Sequence, residues 1–144
     1  MWGFAMARTN ANGDIKLRDM IGKDSQIISA AFSAQSWHKP VSQYAEYFRE
    51  QQDGKRNVLI AEYKGNFAGY ATIVWETKYA IFRDKGIPEI KDLNVLIRYR
   101  RHGIASKLMD EAEKRISQKS KYAGLGVGLY RDYGNAQIMY AKRG

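Results

Sequence analysis

The stretch Arg100-Arg101-His102-Gly103-Ile104-Ala105 sits where the period of the sequence changes. Before it, residues 89–96 alternate apolar and polar side chains, the period of a strand. After it, Ile104, Leu108, Met109, Ala112 and Ile116 recur at three and four residues, with Lys107, Asp110, Glu111, Lys114 and Arg115 on the other face. That pattern predicts a helix over 104–120. Asp110 before Lys114 and Glu111 before Arg115 are acid-before-base pairs that support it. A basic, glycine-containing loop that opens straight into a helix is an anion site in outline. The first turn of the helix leaves N–H groups unpaired, the macrodipole adds positive potential, and glycine lets a phosphate approach the backbone. Arg100 and Arg101 reinforce the field. These residues predict a phosphate or pyrophosphate site; the plainer reading is a charged loop closed by a glycine.

Upstream of this junction, residues 1–13 carry no apolar period and end in Asn-Ala-Asn-Gly, so they read as a leader or appended extension. The domain is expected over 14–144. Residues 15–18 alternate as a first strand, and Asp24 stands where an N-cap would open a helix over 25–32. A second helix is expected after Pro40, ending before Asp53-Gly54, with Tyr44, Tyr47 and Phe48 along one face. Residues 57–63 and 67–76 read as a hairpin around Lys64-Gly65-Asn66, and 78–88 as a long loop. Downstream, 123–130 reads as a strand and 135–141 as a short helix.

The 144 residues fit one domain, and neither disulfides nor thiolate chemistry is available because there is no cysteine. With only His38 and His102, and no acidic cluster at ligand spacing, no metal site is expected. No apolar run has the length of a membrane span or the form of a secretion signal, and a cytoplasmic location is expected. The net charge of +9 favours polyanionic partners such as a nucleotide cofactor, RNA or an anionic surface. Basic residues at 98, 100, 101, 107, 114, 115, 119 and 121 gather near the loop and its helix, so a cofactor's phosphates would account for part of the charge.

The order Arg, two residues, Gly, one residue, Ala, between a strand and a helix, resembles the signature of the GNAT family of N-acetyltransferases. Glu89-Ile90-Lys91-Asp92-Leu93-Asn94-Val95 looks like that family's fourth strand, and Gly134-Asn135-Ala136-Gln137-Ile138-Met139-Tyr140 like its last helix. The resemblance implies an α/β fold of the α+β type, a mixed, mainly antiparallel sheet flanked by helices. It implies acetyl-CoA as the cofactor and direct transfer of an acetyl group to a primary amine. The backbone of Arg100, Arg101, His102, Gly103, Ile104, Ala105 and Ser106 would hold the pyrophosphate of CoA. Leu93, Asn94 and Val95 would pair with the pantetheine arm, and Asn135 would hydrogen-bond it. An N–H near Val95 would receive the oxyanion, Tyr140 would protonate the leaving thiolate, and Glu89, in preference to Asp92, would be the general base. Gly124, Gly126 and Gly128 would allow the cofactor's close approach, and Trp37, His38, Tyr44, Tyr79 and Phe82 would line the acceptor site.

Members of the family continue past the position of Gly144 with two further strands, which are expected to be missing here. Their absence would leave a strand edge open to a second copy and make a homodimer a partner to consider. The acceptor implied is a small-molecule or peptide amine. A CoA-binding protein of the same fold without turnover, and an acetyltransferase acting on aminoacylated RNA, are the alternatives.

Overall fold

Each alternating run becomes a strand, and consecutive strands lie side by side. In the computed structural model, which describes residues 13–125 and the backbone of residues 137–140, six strands form one sheet in the order β1 to β6. They are β1 (Ile15–Asp19), β2 (Arg56–Tyr63), β3 (Asn66–Val74), β4 (Glu89–Val95), β5 (Tyr122–Leu125) and β6 (Gln137–Tyr140). All neighbours are antiparallel except β4 and β5, which are parallel. The expected mixed, mainly antiparallel sheet is what forms.

Helices cover both faces. One face carries α1 (Asp24–Ala34) and α2 (Val41–Gln52), whose Ile28, Phe32 and Tyr44 pack on Val58, Ile60 and Tyr70. The other carries α4 (Ile104–Ser117), which buries Ile104, Leu108, Met109, Ala112 and Ile116 against Leu59, Ala71, Ile73 and Ile90. These are the five apolar positions of the helical pattern, and burial of each large aliphatic side chain stabilises the domain by about 1.5–3 kcal/mol. On the solvent side the Glu111 carboxylate accepts from Arg115 Nε at 2.9 Å, and Arg115 Nη1 reaches Asp19 at 2.7 Å, tying α4 to β1. No helix among the described residues is long and apolar enough to cross a membrane.

The structure departs from the sequence reading in three places. Asp24 is the first residue of α1 rather than its cap, and its buried carboxylate accepts from the Ile21 N–H at 2.8 Å and bidentately from Arg18 at 2.7 and 2.9 Å. Burial works against the charge, but Arg18 and the Ile21 N–H together hold the carboxyl below the usual range. The long loop contains a one-turn helix, α3 (Ala80–Arg83), because Phe82 is driven fully into the core. An added Cβ on Gly124 would fall 2.7 Å from that ring, so Gly124 makes room for Phe82 rather than for a cofactor. Gly126 and Gly128 lie outside the described residues.

The third departure is the expected terminal helix. Gln137–Tyr140 is a strand, pairing with β5 in the register Tyr122↔Tyr140 to Leu125↔Gln137. Four residues are too few for a helical period to assert itself. Ile138 and Tyr140 suit a strand, and the edge of β5 offers unpaired backbone groups that this segment satisfies.

Candidate active site

The middle of β4 is where the sheet departs from regular pairing. Thr72 faces Lys91 and Tyr70 faces Asn94, so Asp92 and Leu93 together stand opposite the single residue Ala71. This is a β-bulge, and Asp92 takes the left-handed conformation with φ 60°. The described parallel pairs with β5, Glu89↔Gly124 and Ile90↔Leu125, both precede the bulge.

Past the bulge, β4 runs through a 3₁₀ turn (Ile97–Tyr99) into residues 100–103 and then α4. Arg101 and Gly103 both have positive φ, 69° and 82°, which folds the loop back on itself. Arg100 Nε donates to the Val95 carbonyl at 3.3 Å, closing the loop onto the strand. Gly103 is the N-cap of α4 and carries no side-chain cap. The first N–H groups of the helix therefore have no side-chain acceptor, the condition for binding an anion.

A cavity of about 430 Å³ opens at this point, lined by Leu93, Asn94, Val95, Tyr99, Arg100, Arg101, Gly103, Ile104, Ala105 and Ser106. The structure thus brings together, on one wall, nine of the residues expected to hold a cofactor. His102 does not line the cavity; its ring lies 4.6 Å from that of Tyr63. Asn135 lies outside the described residues. Tyr99 was not among the expected lining residues, although an aromatic two positions before Arg101 in a loop rich in arginine was visible in the sequence.

The two β4 carboxylates have different surroundings. Glu89 and Asp92 share the face that carries α1 and α2, since Glu89 pairs with Val74 and Asp92 reaches Tyr70. Glu89 is buried and accepts from the Thr77 hydroxyl at 2.5 Å. Asp92 is half-buried and accepts from Tyr47 and Tyr70 hydroxyls at 2.8 and 2.9 Å and from Asn94 Nδ2 at 2.7 Å. Burial, then the nearby Asp92 charge, pushes the Tyr47 hydroxyl up to about 12, so it stays a donor at neutral pH. Tyr44 and Tyr70 move in the same direction, each with burial as the main cause.

The backbone of Tyr140 faces Tyr122, two residues before the Gly124 that pairs with Glu89; Glu89 and the Tyr140 backbone thus both stand at the end of β4 away from the cavity. The aromatics expected to line an acceptor site fall into two groups. Tyr44 packs edge-on against Tyr70, Tyr70 against Phe32, and Phe32 against Trp37 beneath the Lys39 ammonium, while Tyr79 packs against Phe82.

Comparison with known proteins identifies the family. Residues 25–144 match the family described as the Acetyltransferase (GNAT) family. An uncharacterised N-acetyltransferase of Archaeoglobus fulgidus is 37% identical over 76 residues, which are 51% of this chain and 50% of the relative; the match thus spans about half of its length. Among solved structures, an acetyltransferase of Salmonella typhimurium with its cofactor acetyl-CoA superposes with a TM-score of 0.62 at 15% identity, covering 78% of this chain and 69% of the other. A GNAT family N-acetyltransferase of Escherichia coli in complex with CoA gives 0.60 at 15% identity, covering 90% and 82%. With the family match extending from α1 through β6, this chain belongs to the GNAT acetyltransferase family.

Proposed function

We propose that the chain is an acetyl-CoA-dependent N-acetyltransferase acting on a primary amine. The observation that carries this reading is the cavity shared by the Leu93 to Val95 edge and the uncapped N-terminus of α4, flanked by Arg100 and Arg101. Those groups fit CoA: the N–H groups of residues 103–106 and the two guanidinium groups take the pyrophosphate, and β4 takes the extended pantetheine arm as an added strand would be taken. The Salmonella and Escherichia structures, solved with acetyl-CoA and CoA, support the choice of cofactor. When bound, the cofactor supplies the acetyl thioester.

The chain's own groups then serve the amine. Alkyl ammonium groups have a pKa near 10.4, so the nucleophile must lose a proton before it attacks. Glu89 is assigned as the base, acting through water because it stands at the end of β4 away from the cavity; the Asp92 oxygens are already held by three donors, whereas the hydrogen bond seen at Glu89 is that from the Thr77 hydroxyl. The oxyanion is assigned to the backbone N–H near Val95. The leaving thiolate, with an ordinary pKa near 8.5, takes its proton from solvent rather than from Tyr140.

Two measurements test this. Excess acetyl-CoA is expected to raise the melting temperature, and Glu89→Gln to lower kcat on an amine panel by about 100-fold while leaving that thermal shift intact. No stabilisation at millimolar acetyl-CoA would remove the cofactor assignment, and stabilisation without turnover on any amine would make the chain a CoA-binding protein. Tyr140→Phe is expected to leave kcat within about twofold, because in this reading solvent protonates the thiolate. A loss of an order of magnitude would return the acid role to Tyr140.

A further inference from the structure

Asp92 holds a backbone conformation that disfavours a residue with a side chain, at φ 60°, and it does so at the bulge that aims the cofactor-facing edge of β4. Something must hold it there. Its carboxylate is the hub of a network drawn from three elements: Tyr47 of α2 and Tyr70 of β3 donate to Oδ2, and Asn94 of β4 donates to Oδ1. Asn94 Nδ2 also lies 3.1 Å from the Tyr70 hydroxyl, which is 2.8 Å from that of Tyr44 on α2. Tyr44 and Tyr70 are fully buried, and their rings meet edge-on at 5.4 Å, so the two hydroxyls are fixed by core packing. A bulge held only by its own strands could relax into regular pairing. This one is bolted to α2, a helix some 40 residues earlier in the chain.

We propose that Asp92 is a positioning residue for cofactor binding. Its carboxylate, clamped by the tyrosine hydroxyls of α2 and β3, locks the β4 bulge and so presents Leu93, Asn94 and Val95 to CoA. The part concerning CoA rests on the reading of the cavity given above; the part concerning the bulge does not. Asp92 acts through the backbone and not on the amine, which separates it from Glu89.

The test compares Asp92→Ala, which loses both the clamp and the tolerance of positive φ, with Asp92→Gly, which loses the clamp but adopts positive φ freely. Amide hydrogen exchange at residues 93–95 of the cofactor-free protein and the Kd for CoA by calorimetry are the readouts. Asp92→Ala is expected to speed exchange at these amides and to raise the Kd about tenfold or more. Asp92→Gly, whose bulge is held only by its own strands, is expected to speed exchange at the same amides and to raise the Kd about threefold or more, less than Asp92→Ala because glycine adopts positive φ freely. Tyr47→Phe, which removes one donor from a half-buried site, is expected to raise the Kd about threefold with no change in the pH dependence of kcat. Wild-type exchange and affinity in Asp92→Gly, or unchanged exchange in Asp92→Ala, would overturn the proposal. If Asp92→Ala does not fold, an Asp92→Gly protein whose 93–95 amides exchange faster than in wild type supports it, and one in which they exchange as in wild type overturns it. Failure of the wild type to bind CoA would defeat the cofactor reading alone, and the exchange comparison would still decide the role of Asp92.

Discussion

Replacing Asp24 by alanine is expected to destabilise the domain by about 3 kcal/mol, which at this chain length lowers the melting temperature by roughly 6–12 °C. The carboxylate is fully buried, receives both terminal nitrogens of Arg18 and satisfies the Ile21 N–H at the start of α1. Its removal leaves Arg18, a 29% exposed guanidinium, with Glu62 at 3.0 Å and the Asp19 carbonyl at 3.1 Å, and leaves the Ile21 N–H without the Asp24 acceptor. The low end of the usual range for a broken buried pair applies because Arg18 still reaches Glu62 and water. The same pair predicts an acid limb. The Asp24 carboxyl titrates below its unfolded value of about 3.9, so its contribution is present above that pH and disappears as pH falls through the folded value. Arg18, shifted upward, does not titrate in this window. Chemical denaturation at pH 7 and again below pH 4 reads both effects. A loss under 1 kcal/mol at pH 7, or a variant as acid-sensitive as wild type, would show that the pair contributes little.

The second large effect is expected at Gly69, which pairs with Val95 across β3 and β4. A Cβ there would lie 2.7 Å from the Asn94 carbonyl oxygen and 3.0 Å from the Val95 Cα, both backbone atoms of the segment that lines the cavity. No flexible side chain can move aside. Gly69→Ala must therefore shift the strand, at a cost of about 1–3 kcal/mol, and displace the edge offered to the cofactor. The expected result is a lower melting temperature together with a CoA Kd raised by about an order of magnitude. Gly54→Ala is the control: Gly54 has φ 77° and nothing within 4 Å, so alanine there costs about 1–2 kcal/mol in backbone strain and leaves CoA affinity unchanged. Equal effects of the two substitutions on affinity would refute the close packing of β3 behind the cleft.

What was legible in the sequence is what depends on short-range pattern. The apolar face of α4 was readable because five buried positions recur over four turns, and β1 to β4 because each run alternates or is bounded by turn residues. The loop from Arg100 to Ala105 was readable because an anion site at a helix N-terminus is a local feature. The Asp92 bulge was not, since its partners Tyr47 and Tyr70 lie 45 and 22 residues away and nothing local marks a left-handed aspartate. Phe82 in a polar, proline-ended loop gave no period to show that it plugs the core beside Gly124. Residues 135–141 read as a short helix both by pattern and by resemblance, and the sheet pairing of Gln137–Tyr140 at the edge of β5 took precedence over that expectation.

The six strands lie in the sheet in the order in which they occur along the chain. On a ribosome, each strand therefore emerges next to one already made, and no early strand must wait for a distant partner to be inserted beside it. β1 to β3 can pair before β4 appears, and α2, which lies between β1 and β2 and carries Tyr44 and Tyr47, is already present when Asp92 arrives to be clamped. Only the step from β4 to β5 crosses over, through α4, and that helix begins with the anion-binding turn. Pairing in chain order leaves few unpaired edges exposed during synthesis, and the tight β2–β3 hairpin gives the sheet a local place to start.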